Sequence, residues 1–596
     1  MSESPGFFGV ERSFCGRRWR ARLADSRLGM AIAQRLGLPE LVGNLLAARG
    51  VDAEEAPAFL NPTLRDLLPD PSRFNDMDRA VERLVRAVER GEGIAVFGDY
   101  DVDGATSSAL LRRFFAAVGV PIRVYIPDRL AEGYGPNAPA LLRLKDEGVS
   151  VVVTVDCGVT AFQPLAAARE AGLDVIVIDH HVAEPLLPEA VAVVNPNRLD
   201  EAPGYGQLAA VGVAFLLVVA LNRGLRDAGW YRGGRAEPDL LQWLDLVALG
   251  TICDVVPLIG LNRALVAQGL KVMARRSNPG LAALADAAGL GERPGAYHAG
   301  FVLGPRVNAG GRVGAADLGA RLLATDDPAE AAALAARLEA LNAERRQIEQ
   351  AVLAQAIARV EAEAEADAPL VLAAAEGWHP GVIGIVASRL KERYARPAFV
   401  VTIADGLGKG SARSVRGVDL GSAVIAARQA GLLVNGGGHA MAAGFTVEAD
   451  RIEELKAFLG ARIAAGGDGA GPVQPTLSLD GVLNPAAATP ALTELLERLG
   501  PFGAGNAEPR FAIPAARVLR ADVVGEAHVR CILTGADGSR LKAIAFRCLE
   551  GELGPALLRA GGAPIHLAGH LRADRWQGRE GVQFLIEDAA PVYGTV

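Results

Sequence analysis

The sequence predicts an α/β protein: a parallel-sheet domain, a long connecting helix, a second α/β unit and a small C-terminal β-barrel. Three observations lead there. Short Val/Ile-rich runs alternate with helix-period stretches between residues 76 and 200, the pattern of a parallel sheet covered on both faces. Residues 326 to 366 are rich in Ala, Glu, Leu and Arg, lack Gly and carry Pro only at 328, which is the composition of one long helix. After Leu477 the chain turns to short β runs separated by glycines, about five of them, as in a barrel of the OB type.

Size and composition bound the rest. At 596 residues the chain is too long for one core and should divide into about three or four domains. The expected limits are 1–75 for a lead-in that packs on the first domain, 76–325 for that domain, 326–366 for the connecting helix, 367–465 for the second α/β domain and 473–596 for the barrel. A glycine-rich stretch, Ala464 to Pro472, reads as the last linker. Half of the residues are hydrophobic and 22% are charged, so the chain is globular. The net charge of -8 excludes a uniformly basic nucleic-acid coat protein but not an enzyme with an acidic centre beside a basic groove. Five scattered cysteines with no C-x-x-C pair speak for a reducing, cytoplasmic setting and against zinc or a disulfide framework. The longest apolar run, Leu208 to Leu221, is shorter than the ~20 residues of a membrane span and reads as a buried helix. Arg17, Arg18, Arg20, Arg22 and Arg27 are interrupted by Glu11 and Asp25 and precede no apolar stretch, so no secretory signal is expected.

In order, an amphipathic helix from Asp76 to Glu89, with Ala80, Val81, Leu84, Val85 and Val88 on one face, feeds a strand beginning at Ile94. That strand ends in Asp99, Asp101 and Asp103, and a helix is expected after Thr106. Three carboxylates on one turn raise each other's pKa and call for a cation. A calcium loop is excluded, because its twelfth position would be Leu110 and a β run, not a helix, precedes it. Further strands are expected at 122–126, 151–155, 175–178 and 191–194. Two of them end in ligand-type residues: Asp156-Cys157-Gly158, and Asp179-His180-His181, where the Asp can orient a ring nitrogen. Asp254 closes the apolar run Leu246 to Cys253, where an unpaired carboxylate would be costly and coordination would relieve it.

These motifs, Asp99-x-Asp101-x-Asp103-Gly104, Asp156-Cys157-Gly158, Asp179-His180-His181 and Gly250-Thr251-Ile252-Cys253-Asp254, resemble in order the four motifs of the DHH phosphoesterase superfamily. Within it the chain resembles the RecJ-like exonucleases over nearly its whole length. Leu303 to Arg312, His379 to Gly384, the run Gly436-Gly437-Gly438-His439 and Pro501 to Pro509 carry the likeness beyond the first domain. The resemblance implies a DHH domain, a connecting helix, a DHHA1 domain and a groove between the two domains. It implies 5′-to-3′ hydrolysis of single-stranded DNA, in repair and recombination, beside a single-strand binding protein and a helicase. It further implies two divalent cations, Mn²⁺ or Mg²⁺, held by Asp101, Asp103, Asp156, His180 and Asp254. Asp156 would bridge, Asp99 would be an outer or partial ligand, and His181 would touch the scissile phosphate or assist the leaving oxygen.

Carboxylates with a minority of imidazole suit Mn²⁺ or Mg²⁺ better than zinc. Substrate grip is expected from Arg306, Asn308 and Arg312 in a Gly-rich stretch, from Ser411, Arg413 and Arg416 in a phosphate-binding type of segment, and from Gly437, Gly438 and His439. His379 stays open between structure and contact, as does a hairpin with Arg572, Arg575, Trp576 and Arg579 between a DNA face and a solvated tip. Two alternatives stand beside the exonuclease: a DHH-family enzyme for oligoribonucleotides or cyclic dinucleotides, and a Cdc45-like non-catalytic single-strand-binding module.

Overall fold

The computed structural model describes residues 6–23, 25–129, 131–362, 368–466, 474–574 and 581–592. By its contacts the chain forms two compact units: Pro71–Asp254 with Val272–Gly471, and Met1–Asp70 with Val255–Lys271 and Pro472–Val596.

The first unit contains both α/β domains. Its leading sheet comprises β1 (Gly93–Gly98), β2 (Ile122–Tyr125), β3 (Val149–Val155), β4 (Asp174–Ile178) and β5 (Ala192–Val194). They lie in the order β2-β1-β3-β4-β5, all parallel. The central strands are buried on both faces, which is why they read as unbroken Val/Ile runs instead of alternating ones. Around the sheet lie α1 (Met77–Arg90), α2 (Val102–Ala117), α3 (Ala138–Asp146), α4 (Phe162–Glu170), α5 (Ala210–Asp227) and α6 (Leu244–Cys253). The apolar run at Leu208 is indeed a buried helix, α5.

Next come α7 (Gly304–Val313) and the expected long helix, α8 (Pro328–Ala362), 35 residues in one piece. The second sheet has β6 (Val371–Glu376), β7 (Ala398–Ala404), β8 (Leu407–Arg413), β9 (Asn435–His439) and β10 (Ala442–Glu448), in the order β9-β10-β8-β7-β6. Helix α9 (Ile383–Tyr394) joins β6 to β7, which run parallel, and the remaining pairs are antiparallel.

In the second unit β11 (Phe511–Val524), β12 (His528–Thr534), β13 (Arg540–Ala545), β14 (Pro564–Asp574) and β15 (Gly581–Pro591) form a closed barrel. The ring runs β11-β12-β13-β15-β14 and returns to β11. The lead-in segment was expected on the first domain, but it packs here. A strand at Arg18–Ala21 pairs with Thr476–Leu479, and Ile32, Val42, Leu45 and Leu46 share one apolar cluster with Phe511, Leu541 and Phe584. Helical pieces with one apolar stripe show that they must cover something, and the partner is chosen only in three dimensions.

Candidate metal centre and phosphate pocket

The acidic turn is built by helix capping. Asp101 is the N-cap of α2, its Oδ1 accepting the Gly104 N–H at 3.0 Å, so the helix begins at Val102 and not after Thr106 as the apolar spacing suggested. Glycine is required at 104: a Cβ there would come within 2.5–2.7 Å of the Asp99 backbone. Asp103 consequently sits in the first helical turn, where its carboxylate is buried and accepts N–H groups of Ala210 and Val211 at 2.6 and 2.8 Å, opposite the start of α5.

Asp156 and Asp179 follow the ends of β3 and β4, as expected for a parallel sheet. Asp254 does not end a strand. It caps α6, a helix buried on nearly every side, whose sequence therefore shows no periodicity that separates it from a buried strand.

The donors converge. Three sets, Asp156/His180/His181, Asp103/His180/Asp254 and Asp99/Asp101/Asp156, each bring one ligand atom per residue within 4.8 Å of the others. His180 joins them, with Nε2 at 3.3 Å from Asp156 Oδ1 and 3.9 Å from Asp103 Oδ2, and Nδ1 at 3.7 Å from Asp254 Oδ2. Asp99 belongs to one of the three donor sets.

Three buried atoms, Asp99 Oδ1, His180 Nε2 and Asp254 Oδ2, have no hydrogen-bond partner among the described residues. Burial first, then neighbouring carboxylates, push Asp99 up to about 8, Asp103 and Asp254 to about 7, and Asp156 well above the ordinary carboxylate range. Buried polar atoms without partners are rare, and like charges at this density are relieved by a cation. The donor set thus fits divalent ions with oxygen and imidazole preferences.

His181 is held differently. Its Nδ1 lies 2.7 Å from Asp179 Oδ1, and Asp179 also accepts the N–H groups of His180, His181 and Val159. Burial would lower the imidazole pKa, but the hydrogen bond to Asp179, together with the charges of Asp179, Asp254 and Asp101, outweighs it and carries it to about 9. The same bonds overcome burial at Asp179 and keep its carboxyl below its ordinary value.

Models of three families match: "DHH family, N-terminal domain" over residues 93–251, "DHHA1 domain" over 367–465 and "RecJ OB domain" over 479–588. The single-stranded-DNA-specific exonuclease RecJ of Escherichia coli is 37% identical over 566 residues, 93% of this chain and 96% of that protein. The corresponding Bacillus subtilis protein is 35% identical over 580 residues, 96% of this chain and 71% of its own length. This chain belongs to the RecJ family.

Among solved structures, RecJ from Thermus thermophilus in complex with Mn²⁺ matches with a TM-score of 0.78 at 33% identity, covering 96% of this chain and 80% of that one. The Mg²⁺ complex of the same protein matches with a TM-score of 0.74 at 31% identity, covering 97% and 79%.

Beside the candidate metal ligands of this RecJ-family chain lies a cleft of about 420 Å³, lined by Arg129, Arg312, Lys409, Ser411, Arg413 and Gly437 among others. Lys409, Ser411 and Arg413 alternate along β8 and so share a face. Ile383 and Gly384, the first turn of α9, also line it, adding a helix N-terminus to the cations. Burial first, then Arg129, Arg345 and Arg413, lowers Arg312 to about 10, and burial followed by Arg129 lowers Arg413. Guanidinium groups that depress one another in this way make a site for an anion.

Arg312, Ser411, Arg413 and Gly437 are therefore brought together, but the other expected contacts are not. The Gly-rich stretch from Leu303 is helical, and its glycines serve packing: a Cβ on Gly311 would lie 3.0 Å from Tyr100. On that helix Arg306 is turned to Glu339 of α8 and to the Val302 carbonyl, and Asn308 is half-buried. Gly438 allows a close strand turn, since a Cβ there would meet Ala442 and Ala443 within 2.8 Å. Arg416 lies past the end of β8 and His439 is the last residue of β9; both are exposed, and neither lines the cleft.

His379 Nδ1 accepts the Gly381 N–H at 3.0 Å. Arg572 pairs with Glu508, while Arg575, Trp576 and Arg579 lie outside the described residues. Arg129 was missed, because a single Arg in a loop carries no pattern. It stands over the Tyr100 ring, 5.0 Å from its centroid, and Tyr100 separates Asp99 from Asp101. Cleft and metal centre are therefore adjacent.

Proposed function

We infer that the chain is a metal-dependent exonuclease specific for single-stranded DNA, acting from the 5′ end and releasing 5′-mononucleotides in repair and recombination. One observation carries this reading: carboxylate and imidazole atoms without hydrogen-bond partners among the described residues converge beside a cleft lined by Arg129, Arg312, Lys409 and Arg413.

Asp99, Asp101, Asp103, Asp156, His180 and Asp254 hold two divalent cations, Mn²⁺ or Mg²⁺, with Asp156 and His180 shared between donor sets. When bound, the ions activate the attacking water and stabilise charge on the phosphoryl oxygens. His181, oriented by Asp179, gives a proton from Nε2 to the leaving 3′-oxygen. Arg129, Arg312, Ser411 and Arg413 hold a substrate phosphate, and Arg306, Asn308, Arg416, Gly438 and His439 take no direct part. A single-strand binding protein and a helicase are the partners in this reading, and the cytoplasm its setting. No helix among the described residues is long and apolar enough to cross a membrane.

Asp103→Ala should abolish hydrolysis in Mn²⁺ while single-strand binding persists. Equal cleavage by variant and parent sinks the metal assignment. Strands blocked at one end test polarity: digestion of a 5′-blocked but not a 3′-blocked strand contradicts the reading.

A further inference from the structure

Asp156, common to two of the three donor sets, has a left-handed backbone with φ 61°. Asp adopts this conformation more readily than most residues with a side chain, and its neighbours hold it there. Here two hydrogen bonds do so: the Asp156 N–H donates to the Ile178 carbonyl at 3.0 Å, and the Tyr134 hydroxyl donates to the Asp156 carbonyl at 2.9 Å. The same hydroxyl oxygen lies 3.4 Å from Nδ1 of His181, and the Tyr134 ring stands edge-on to that imidazole with centroids 5.9 Å apart. One phenol therefore touches residues from the ends of both β3 and β4. Its loop is braced from within, because the Glu132 carboxylate accepts from the Tyr125 hydroxyl, the Asp128 N–H and the Asn137 amide at 2.6, 3.0 and 3.3 Å.

We propose that Tyr134 is a positioning residue of the metal centre: its hydroxyl fixes the backbone turn that aims the Asp156 carboxylate and seats the His181 ring beside it. The proposal rests on the metal-centre reading above but not on the identity of the polymer that is cut. Residues that orient ligands in this way change metal affinity by roughly 10–100-fold when removed.

The test is Tyr134→Phe in the full chain, which deletes one oxygen and keeps the ring. Mn²⁺ affinity, read by calorimetry or by the paramagnetic resonance of free Mn²⁺, should fall roughly 10–100-fold. On single-stranded DNA, kcat at fixed Mn²⁺ should drop while KM stays. The same loop carries Arg129, so Arg129→Gln is the companion variant: it should raise KM and leave Mn²⁺ affinity unchanged. Parental Mn²⁺ affinity in Tyr134→Phe overturns the proposal. So does a rise in KM matching that of Arg129→Gln, since it would mean that the loop as a whole had come away. A parent that binds Mn²⁺ yet cuts no DNA ends the exonuclease reading, while the Mn²⁺ titrations still decide the role of Tyr134.

Discussion

Replacing Asp254 by Asn separates what the metal centre needs from what the fold prefers. In the metal-free chain burial, and then the Asp101 charge, raise the Asp254 carboxyl from 3.8 to about 7. Its Oδ2 has no hydrogen-bond partner among the described residues, and it sits at the C-terminal end of α6, where a negative charge also opposes the helix dipole. A folded-state pKa above the unfolded one means that the folded chain keeps a proton which the unfolded chain releases between those two values. Metal-free stability therefore falls as pH rises from about 4 to about 7, and the whole contribution is gone above that window. A shift of about three units at ~1.36 kcal/mol each puts the loss at no more than about 4 kcal/mol.

Asparagine preserves the shape and has no such slope. In EDTA, thermal unfolding of Asp254→Asn should occur several degrees above the parent at pH 8, with the gap narrowing toward pH 5. Mn²⁺ should then raise the parent's transition and leave the variant's nearly in place, with hydrolysis lost. A variant less stable than the parent at pH 8, or a gap that widens toward acid, would refute the electrostatic account.

Arg413→Ala removes a cation from the cleft, so KM for single-stranded DNA should rise roughly 10–100-fold with a smaller change in kcat, the size of one charge-assisted hydrogen bond. Binding isotherms across a salt series should also lose about one unit of logarithmic slope, and an unchanged slope would place the DNA elsewhere. Val255, directly after Asp254, holds φ 62° and is 70% exposed, so Val255→Gly relieves strain without opening a cavity. Its stability in denaturant should increase by about 1 kcal/mol, and a decrease would show that this backbone turn is unstrained.

The chemistry was legible in the sequence because ligands at strand ends are a one-dimensional pattern. An apolar run sets a strand, its last residue sets an edge, and Asp99, Asp156, Asp179, His180 and His181 each stand just past such an edge. The long helix and the barrel strands were legible for the same local reason. The capping role of Asp101 was not, since the apolar residues placed the helix start later than its first hydrogen bond. Nor was the helix before Asp254, because burial on all sides erases periodicity.

Substrate contacts were half legible. A β-strand exposes every second residue, so Ser411 and Arg413 reached the cleft together while Arg416, past the strand's end, did not. Glycines marked close approach correctly but not what was approached: at 311 it is Tyr100, and at 438 the neighbouring strand. Arg129 and Tyr134, on an unpatterned loop, became visible only through what they touch. Local pattern alone determined which residues could bind metal and which of them follow the end of a strand. Which arginines face an anion, which one answers Glu339, and where the lead-in segment packs were decided by tertiary structure, because charge pairing and burial depend on distances between residues far apart in the chain.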